Sequence, residues 1–129
     1  MTKIEKVIPV LVYEDIKAGH DYLVDVFGFE SGGVDHSSDG MVVHAEVRTA
    51  QGAIWLHRVT GEHGLQSPNA LPAVHSGMSV FVDDVDAHYE RAKAAGANIE
   101  REPEDQSYGL RDYGVRDPEG HRFWFSQRL

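Results

Sequence analysis

The amino-acid sequence predicts an α+β fold of two βαβββ modules, which form a curled mixed sheet around a cleft with the helices on its outer faces. The first observation behind this prediction is an internal repeat: at an offset of 69 residues, Asp15 corresponds to Asp84 and Trp55 to Trp124. The second is that each half of the chain has the pattern of a strand, a helix and three further strands. The 129 residues are therefore predicted to form one domain, with module 1 at about 4–59, a linker at 60–75 and module 2 at about 76–129.

The first module begins with a predicted strand over Lys6–Val12, in which Pro9 indicates a sheet edge or a bulge. A helix follows, with Asp15 as the predicted N-cap and Gly28 as the stop signal. Three strands are then predicted, at Phe29–Val34, Met41–Arg48 and Gly52–Val59. The glycines and prolines of residues 60–75 indicate a connector.

The second module repeats this order. A strand over Met78–Val82 precedes a helix that is capped by Asp84 and ends at Gly96. The remaining strands are predicted at Asn98–Glu102, Asp112–Arg116 and His121–Gln127. The segment Asp117-Pro118-Glu119-Gly120 is typical of a tight turn, because proline presets the first central position and glycine tolerates a left-handed conformation.

The composition limits the functions that the chain can have. A net charge of −9 argues against nucleic acid as a partner, since phosphates would be repelled, and favours neutral or cationic small ligands. Cysteine is absent, which excludes disulfides and thiolate chemistry. The N-terminus lacks the apolar core of a signal peptide, and no apolar run reaches membrane-spanning length. We therefore expect a cytoplasmic protein without a membrane partner.

Three motifs give the chain a resemblance to a known superfamily. They are Gly28-Phe29-Glu30 after the first helix, Val82-Asp83-Asp84-Val85 before the second, and the Asp117-Pro118-Glu119-Gly120 turn before the last strand. With the doubled βαβββ pattern, they resemble the vicinal oxygen chelate superfamily, which holds glyoxalase I, extradiol dioxygenases, fosfomycin-resistance enzymes and bleomycin-resistance proteins. The resemblance covers nearly the whole chain and implies the fold. It does not by itself specify function, because this superfamily hosts several unrelated activities.

The metalloenzymes of this superfamily carry metal ligands on the first and last strands of each module. By the resemblance, the corresponding positions are Ile8 and Gly77 on the first strands, and Trp55 and Trp124 on the last strands. None of these side chains offers the imidazole, thiolate or carboxylate donors that a divalent metal needs. The resemblance therefore implies the metal-free branch, in which homodimeric resistance proteins sequester an antibiotic in an aromatic-lined crevice without a cofactor.

The leading hypothesis is thus a metal-independent protein that binds a planar aromatic antibiotic or toxic metabolite. A positive charge on this ligand would suit the acidic chain. Two indoles facing a cleft would offer stacking surface. Strand alternation turns His57 and Arg122 to the same side as the tryptophans, and Arg122 could meet a carboxylate or phenolate. The predicted ligand-binding residues are Ile8, His44, Trp55, His57, Phe81, Tyr108, Arg122 and Trp124.

Two alternatives stay open. One is an enzyme, namely a lyase, isomerase or dioxygenase, with a shifted divalent metal site formed by His44, Glu46, His57 and His121. The other is a scaffold or regulatory domain whose cleft is filled by its own side chains. Three further carboxylates are explained as helix-cap and first-turn charges rather than as catalytic groups, namely Asp83, Asp84 and Asp86.

Overall fold

The computed structural model describes residues 2–129, so Met1, where the predicted domain begins, lies outside the described residues. The first module contains strand β1 (Val10–Tyr13), helix α1 (Ile16–Asp25) and strands β2 (Glu30–His36), β3 (Val42–Arg48) and β4 (Ala53–Arg58). The second contains strand β5 (Gly77–Phe81), helix α2 (Val85–Ala94) and strands β6 (Asn98–Asp105), β7 (Leu110–Arg116) and β8 (Arg122–Arg128). The predicted α+β fold of two βαβββ modules is confirmed.

The first strand is shorter than the sequence predicts. It begins at Val10, because Pro9 has no N–H to give to a strand ladder and takes part only through its carbonyl, which accepts a hydrogen bond from N of Trp55 at 3.0 Å. Ile8 therefore lies before the strand and is half-buried. The predicted connector contains two short 3₁₀ turns, at Gly61–His63 and Pro68–Ala70.

The strands form two four-stranded sheets, in the orders β1-β4-β3-β2 and β5-β8-β7-β6. Within residues 2–129, β1 pairs only with β4 and β5 only with β8, each in parallel, so no ladder joins the two sheets. The internal repeat extends to the strand register: Val10 pairs with Trp55 in the first sheet, and Ser79 pairs with Trp124 in the second. The two pairs are related by the offset of 69 residues that the sequence shows.

Both helices begin where the sequence predicts. Oδ1 of Asp15 accepts a hydrogen bond from N of Ala18 at 3.0 Å, and Oδ1 of Asp84 accepts one from N of Ala87 at 3.0 Å. These bonds satisfy amide donors that have no partner in the first turn, which explains both aspartates without a catalytic role. Each helix has ten residues, and no helix between residues 2 and 129 is long and apolar enough to cross a membrane.

The helix-covered faces of the two sheets share one hydrophobic core. Phe27, just after α1, is 3% exposed, and the centre of its ring lies 5.2 Å from that of Phe123 and 5.1 Å from that of Phe125, both on β8. The carbonyl of Phe27 also accepts a hydrogen bond from Nε2 of His88 on α2 at 2.7 Å. Burial lowers the pKa of His88, which favours the neutral ring. The modules therefore meet through their helix-covered sides.

A buried polar cluster joins the modules a second time. The hydroxyl of Tyr13, at the end of β1, donates to Oδ2 of Asp117 at 2.5 Å, and burial together with the charge of Asp117 raises the pKa of Tyr13 well above its ordinary value. The carboxylate of Glu119 accepts from the two backbone amides before α1, at 2.7 and 2.9 Å, and from Oγ of Ser67 in the linker, at 2.6 Å. The predicted turn forms as expected: N of Gly120 donates to the carbonyl of Asp117 at 2.9 Å, and φ of Gly120 is +92°.

Candidate functional site

Each sheet has one face that packs on the core and a second face that the helices leave uncovered, which we call the open face. Side chains alternate along β4 and β8, so that Leu56 and Phe125 point into the core whereas Trp55 and Trp124 lie on the open faces. Trp55 is 39% exposed, and Trp124 is half-buried. The two tryptophans therefore point away from the core that joins the modules.

The open face of the second sheet contains a cavity of about 160 Å³. Three predicted ligand-binding residues meet there, because Phe81 lies on β5, Tyr108 in the loop after β6, and Trp124 on β8. Tyr108 is 63% exposed and lies at the rim. Every lining residue belongs to the second module: Ser79, Phe81, Arg101, Tyr108, Leu110, Asp112, Trp124 and Ser126.

Asp112 is the polar centre of this cavity. It is buried, and its Oδ1 accepts hydrogen bonds from Nη2 of Arg101 at 2.8 Å and Nε2 of Gln106 at 3.1 Å, while Oδ2 accepts from the hydroxyl of Tyr108 at 3.2 Å. Desolvation lowers the pKa of Arg101, but the hydrogen bonds and charges of Asp112 and Glu104 outweigh it, so that the pKa is raised. The polar wall is therefore an internally paired cluster that also ties Tyr108 to the rim.

The indole of Trp124 occupies space that Gly77 leaves free. A Cβ atom at position 77 would lie 2.5 Å from Cζ3 and 2.9 Å from Cη2 of Trp124. The guanidinium of Arg122 lies 6.0 Å from the centre of the indole, and its Nε donates to Oε1 of Glu100 at 3.0 Å. Arg122 thus lies beside Trp124 but is not among the residues that line the cavity.

The open face of the first sheet carries the other predicted residues. The ring of His44 stands edge-on to Trp55 with the ring centres 5.4 Å apart, and its Nδ1 is 3.2 Å from Oδ2 of Asp35. His57 is the cross-strand neighbour of His44, and its Nδ1 donates to a backbone carbonyl at 2.7 Å. As far as residues 2–129 show, this sheet contributes nothing to the cavity beside Trp124. Within one chain, His44, Trp55 and His57 thus lie on one open face and Phe81, Arg122 and Trp124 on the other, whereas Ile8 precedes β1.

The four residues of the alternative metal site are also divided. His44, Glu46 and His57 lie on the open face of the first sheet, where Nη2 of Arg48 donates to Oε2 of Glu46 at 3.1 Å and this bond lowers the pKa of Glu46. His121 lies on the core side of the second sheet and is 6% exposed. His121 is therefore not brought to the same surface as the other three.

Five of the eight residues that line the cavity are missing from the sequence-based set, and they include both of its charged side chains, Arg101 and Asp112. A signal for Asp112 exists, because it alternates with Gly114 on a predicted strand, and Gly114 pairs with Trp124. Arg101 could not be found in this way. The pairing of β6 shifts register on both sides of Arg101, so alternation along the strand does not give the direction of its side chain.

The contact between Gly77 and Trp124 supports a specific prediction. Gly77→Ala is expected to displace the indole and to lower the free energy of unfolding by about 1–3 kcal/mol, because the new methyl group would overlap the rigid ring of Trp124. In a Trp55→Phe background, Trp124 is the only indole, and a shift of its emission maximum measures the displacement. Urea-induced unfolding measures the stability.

Gly114→Ala is the matched control for this change. Its Cβ would lie 3.7 Å from Cδ1 of the same indole, which is ordinary van der Waals contact. We expect an emission maximum close to that of the parent protein. Equal shifts for the alanines at positions 77 and 114 would contradict the proposed role of Gly77.

Comparison with known proteins gives a consistent result across most of the chain. The family model described as "Glyoxalase/Bleomycin resistance protein/Dioxygenase superfamily" matches residues 6–125. The uncharacterized protein Mb0911c of Mycobacterium bovis is 31% identical over 123 residues, which cover 92% of this chain and 80% of that protein. The uncharacterized protein Rv0887c of Mycobacterium tuberculosis is also 31% identical over 123 residues, which cover 92% of this chain and 72% of that protein.

Three solved structures are similar over nearly their whole length. TioX from Micromonospora sp. ML1 has a TM-score of 0.74 and 36% identity, covering 97% of this chain and 99% of TioX. TnmS3, an antibiotic binding protein from Streptomyces sp. CB03234, has a TM-score of 0.77 and 21% identity, with 100% of both chains covered. The bleomycin-binding protein from Streptomyces verticillus, solved with copper(II)-bleomycin, has a TM-score of 0.69 and 23% identity, again with 100% of both chains covered. At their identities, the latter two establish a common fold.

Proposed function

Because this chain belongs to the glyoxalase/bleomycin resistance protein/dioxygenase superfamily, we propose that it is a metal-independent protein that binds an aromatic antibiotic or toxic metabolite without turnover. The observation that carries the proposal is the cavity on the second open face, whose walls include the rings of Phe81, Tyr108 and Trp124. Aromatic walls with a few fixed polar groups are typical of small-molecule sites. Two structural neighbours, TnmS3 and the bleomycin-binding protein, are described as binding antibiotics.

The residues at the superfamily's metal-ligand positions support the metal-independent form of this proposal. Trp55 and Trp124 stand at the last-strand positions, and an indole has no lone pair to give to a metal ion. Gly77, at a first-strand position, has no side chain, and the space of a Cβ atom there is taken by the indole of Trp124. Stacking surface thus occupies the centre of the open face.

The size and place of the cavity support a homodimer with a shared site. Pockets for drug-sized ligands measure about 300–1,000 Å³, whereas the cavity beside Trp124 measures about 160 Å³ and is lined by one module only. Trp55 lies on the other open face, away from this cavity. We infer that a second copy of the chain completes the site, so that Trp55 of one copy and Trp124 of the other contact the same ligand.

Mixing two variants tests the shared site directly. Trp55→Ala and Trp124→Ala homodimers are each expected to bind the ligand at least about tenfold more weakly, because both lose an aromatic anchor at every site. In a heterodimer of the two variants, one site keeps both indoles and the other keeps neither. Calorimetry on the mixture is therefore expected to recover high-affinity binding at half of the sites present in heterodimers.

The ligand for this test is identified by titrating the protein with a panel of aromatic antibiotics that includes bleomycin and following its intrinsic tryptophan fluorescence. Met41→Ala is the control variant, because Met41 is exposed in the loop between β2 and β3. If no compound changes the fluorescence at micromolar concentration, or if the Trp124→Ala protein responds like the control, the binding proposal fails. If a compound binds but the mixture of the two variants shows no high-affinity binding, the proposal of a shared site is contradicted and binding within one chain is supported.

The metal content of the purified protein tests the enzyme alternative. We expect no stoichiometric divalent ion and no loss of ligand binding after treatment with a chelator. A bound ion that is lost together with activity in His57→Ala would overturn the metal-independent proposal.

A further inference from the structure

A serine, a histidine and an aspartate form a hydrogen-bonded chain at the outer edge of the first sheet. His20 lies on the buried face of α1 and is 7% exposed. Its Nε2 is 2.7 Å from Oγ of Ser31 on β2, and its Nδ1 is 2.8 Å from Oδ1 of Asp21. None of these three residues lines the cavity beside Trp124. The chain of hydrogen bonds is therefore separate from the site described above.

The backbone of β2 places Ser31 beside α1 and leaves it exposed. β2 is an outer strand of its sheet, and Ser31 pairs with Val47, whose side chain is buried in the core. Because paired residues share a face, the side chain of Ser31 lies on the helix-covered side. The register shifts between Ser31 and Gly33, and φ of Gly33 is +107°, a conformation that favours glycine. Ser31 itself is exposed, so a small molecule in solution can reach it.

The hydrogen bonds determine which atoms carry the protons. The carboxylate of Asp21 only accepts, so Nδ1 of His20 carries a proton and Nε2 presents a lone pair. Oγ of Ser31 accepts from N of Gly33 at 3.1 Å and donates its own proton to Nε2 of His20. Hydrogen bonds from Lys17 and His20 lower the pKa of Asp21, which keeps it a carboxylate at neutral pH. A hydroxyl that donates to an imidazole, which a carboxylate in turn orients, is the arrangement that activates serine as a nucleophile.

We propose that Ser31 is a nucleophile with His20 as its general base, and that it takes the acyl group of small activated esters. Oγ of Ser31 forms a bond to the carbonyl carbon while its proton passes to Nε2 of His20. The bond from that carbon to the leaving oxygen breaks, and the leaving group departs with the proton from His20. Water, deprotonated by the same imidazole, then releases the acid and restores the serine.

Asp21 is a positioning residue in this scheme, because it acts on the reaction only through His20. The activity goes beyond the proposed function and does not depend on it. Ser31, His20 and Asp21 lie on the helix-covered side of the first sheet or on α1, whereas the proposed ligand site lies on the open faces.

Labelling with diisopropyl fluorophosphate tests whether Ser31 is activated. In this reaction Oγ of a serine displaces fluoride from phosphorus, and peptide mass spectrometry locates the stable adduct. We expect the label on Ser31 of the parent protein, and we expect 4-nitrophenyl acetate to leave an acetyl group on the same residue. In His20→Gln, the amide oxygen can still accept the hydrogen bond from Ser31 but does not take up a proton. The rate of labelling is therefore expected to fall at least about a hundredfold.

Two further variants separate activation from a structural role. Asp21→Asn keeps an oxygen that can accept from Nδ1 of His20 but removes the charge, so labelling is expected to slow at least about tenfold while the unfolding midpoint stays close to that of the parent protein. Ser37→Ala is the matched control, because the hydroxyl of Ser37 donates to the carboxylate of Asp39 and not to an imidazole. We expect this variant to be labelled at the parent rate.

The parent protein alone can overturn the proposal, whether or not the variants fold. A label that is absent from Ser31, or that is spread evenly over the serines, would show that its hydroxyl is not activated. Equal labelling rates in the parent and His20→Gln proteins would also overturn it. The hydrogen bonds of His20 would then serve only to hold α1 against β2.

Discussion

Replacement of Asp117 by alanine is expected to lower the free energy of unfolding by about 4 kcal/mol. Asp117 is buried, and its carboxylate accepts hydrogen bonds from the hydroxyl of Tyr13, from N of Glu119, and from both N and Nδ1 of His121. Alanine leaves these donors buried without an acceptor, and each such loss costs about 1–3 kcal/mol before the structure relaxes. Urea-induced unfolding followed by circular dichroism measures the change.

Asp105→Ala is the control for this experiment. Asp105 is exposed, and its Oδ1 lies 3.2 Å from Nη1 of Arg111 in a surface ion pair. Such pairs contribute little to stability because water screens them. The role given to Asp117 would be contradicted if its replacement changed the unfolding midpoint no more than the control does.

Phe27→Ala is expected to destabilise the protein by about 3–5 kcal/mol, the range for a buried phenylalanine truncated in a core. Its ring packs against both Phe123 and Phe125 of the second module. The cavity left by alanine therefore opens at the junction of the modules. Amide hydrogen exchange should show reduced protection in β8 and α1 together, whereas a change confined to the first module would contradict this role.

Phe81→Ala provides a matched control with the opposite expected outcome. Phe81 is 47% exposed and lines the cavity beside Trp124. Its truncation is expected to change the free energy of unfolding by no more than about 0.5 kcal/mol, while ligand binding at that cavity weakens. Similar losses of stability in Phe27→Ala and Phe81→Ala would mean that the open face is part of the core.

Much of this architecture can be read from local chemistry. Asp15 and Asp84 precede apolar helical patterns, and each caps its helix as predicted. The repeat aligns Trp55 with Trp124, and the strand register keeps the same correspondence. These features are predictable because they depend on neighbours in sequence or on alternation along a strand.

The relation between the modules is less accessible to sequence reasoning. Phe27 follows Leu23 at helical spacing, which predicts a buried side chain. This spacing does not say which sheet the ring will meet, since that depends on how two separate units dock. The cluster of Arg101, Tyr108 and Asp112 is hidden for a related reason. A charged residue in a strand pattern does not reveal which partners from an irregular strand and a loop will neutralise it.

The carboxylate of Glu119 has a consequence for the order in which the protein forms. It accepts hydrogen bonds from the amides of Glu14 and Asp15. The start of α1 is therefore held in place by a residue that lies 105 positions after Glu14 in the chain. During synthesis the first module leaves the ribosome first and can begin to fold. The start of α1 and Ser67 in the linker nevertheless lack their hydrogen bonds to Glu119 until the turn at 117–120 has emerged. Slow translation before that turn would therefore prolong the time during which the first module is present without the second, with its apolar core surface exposed.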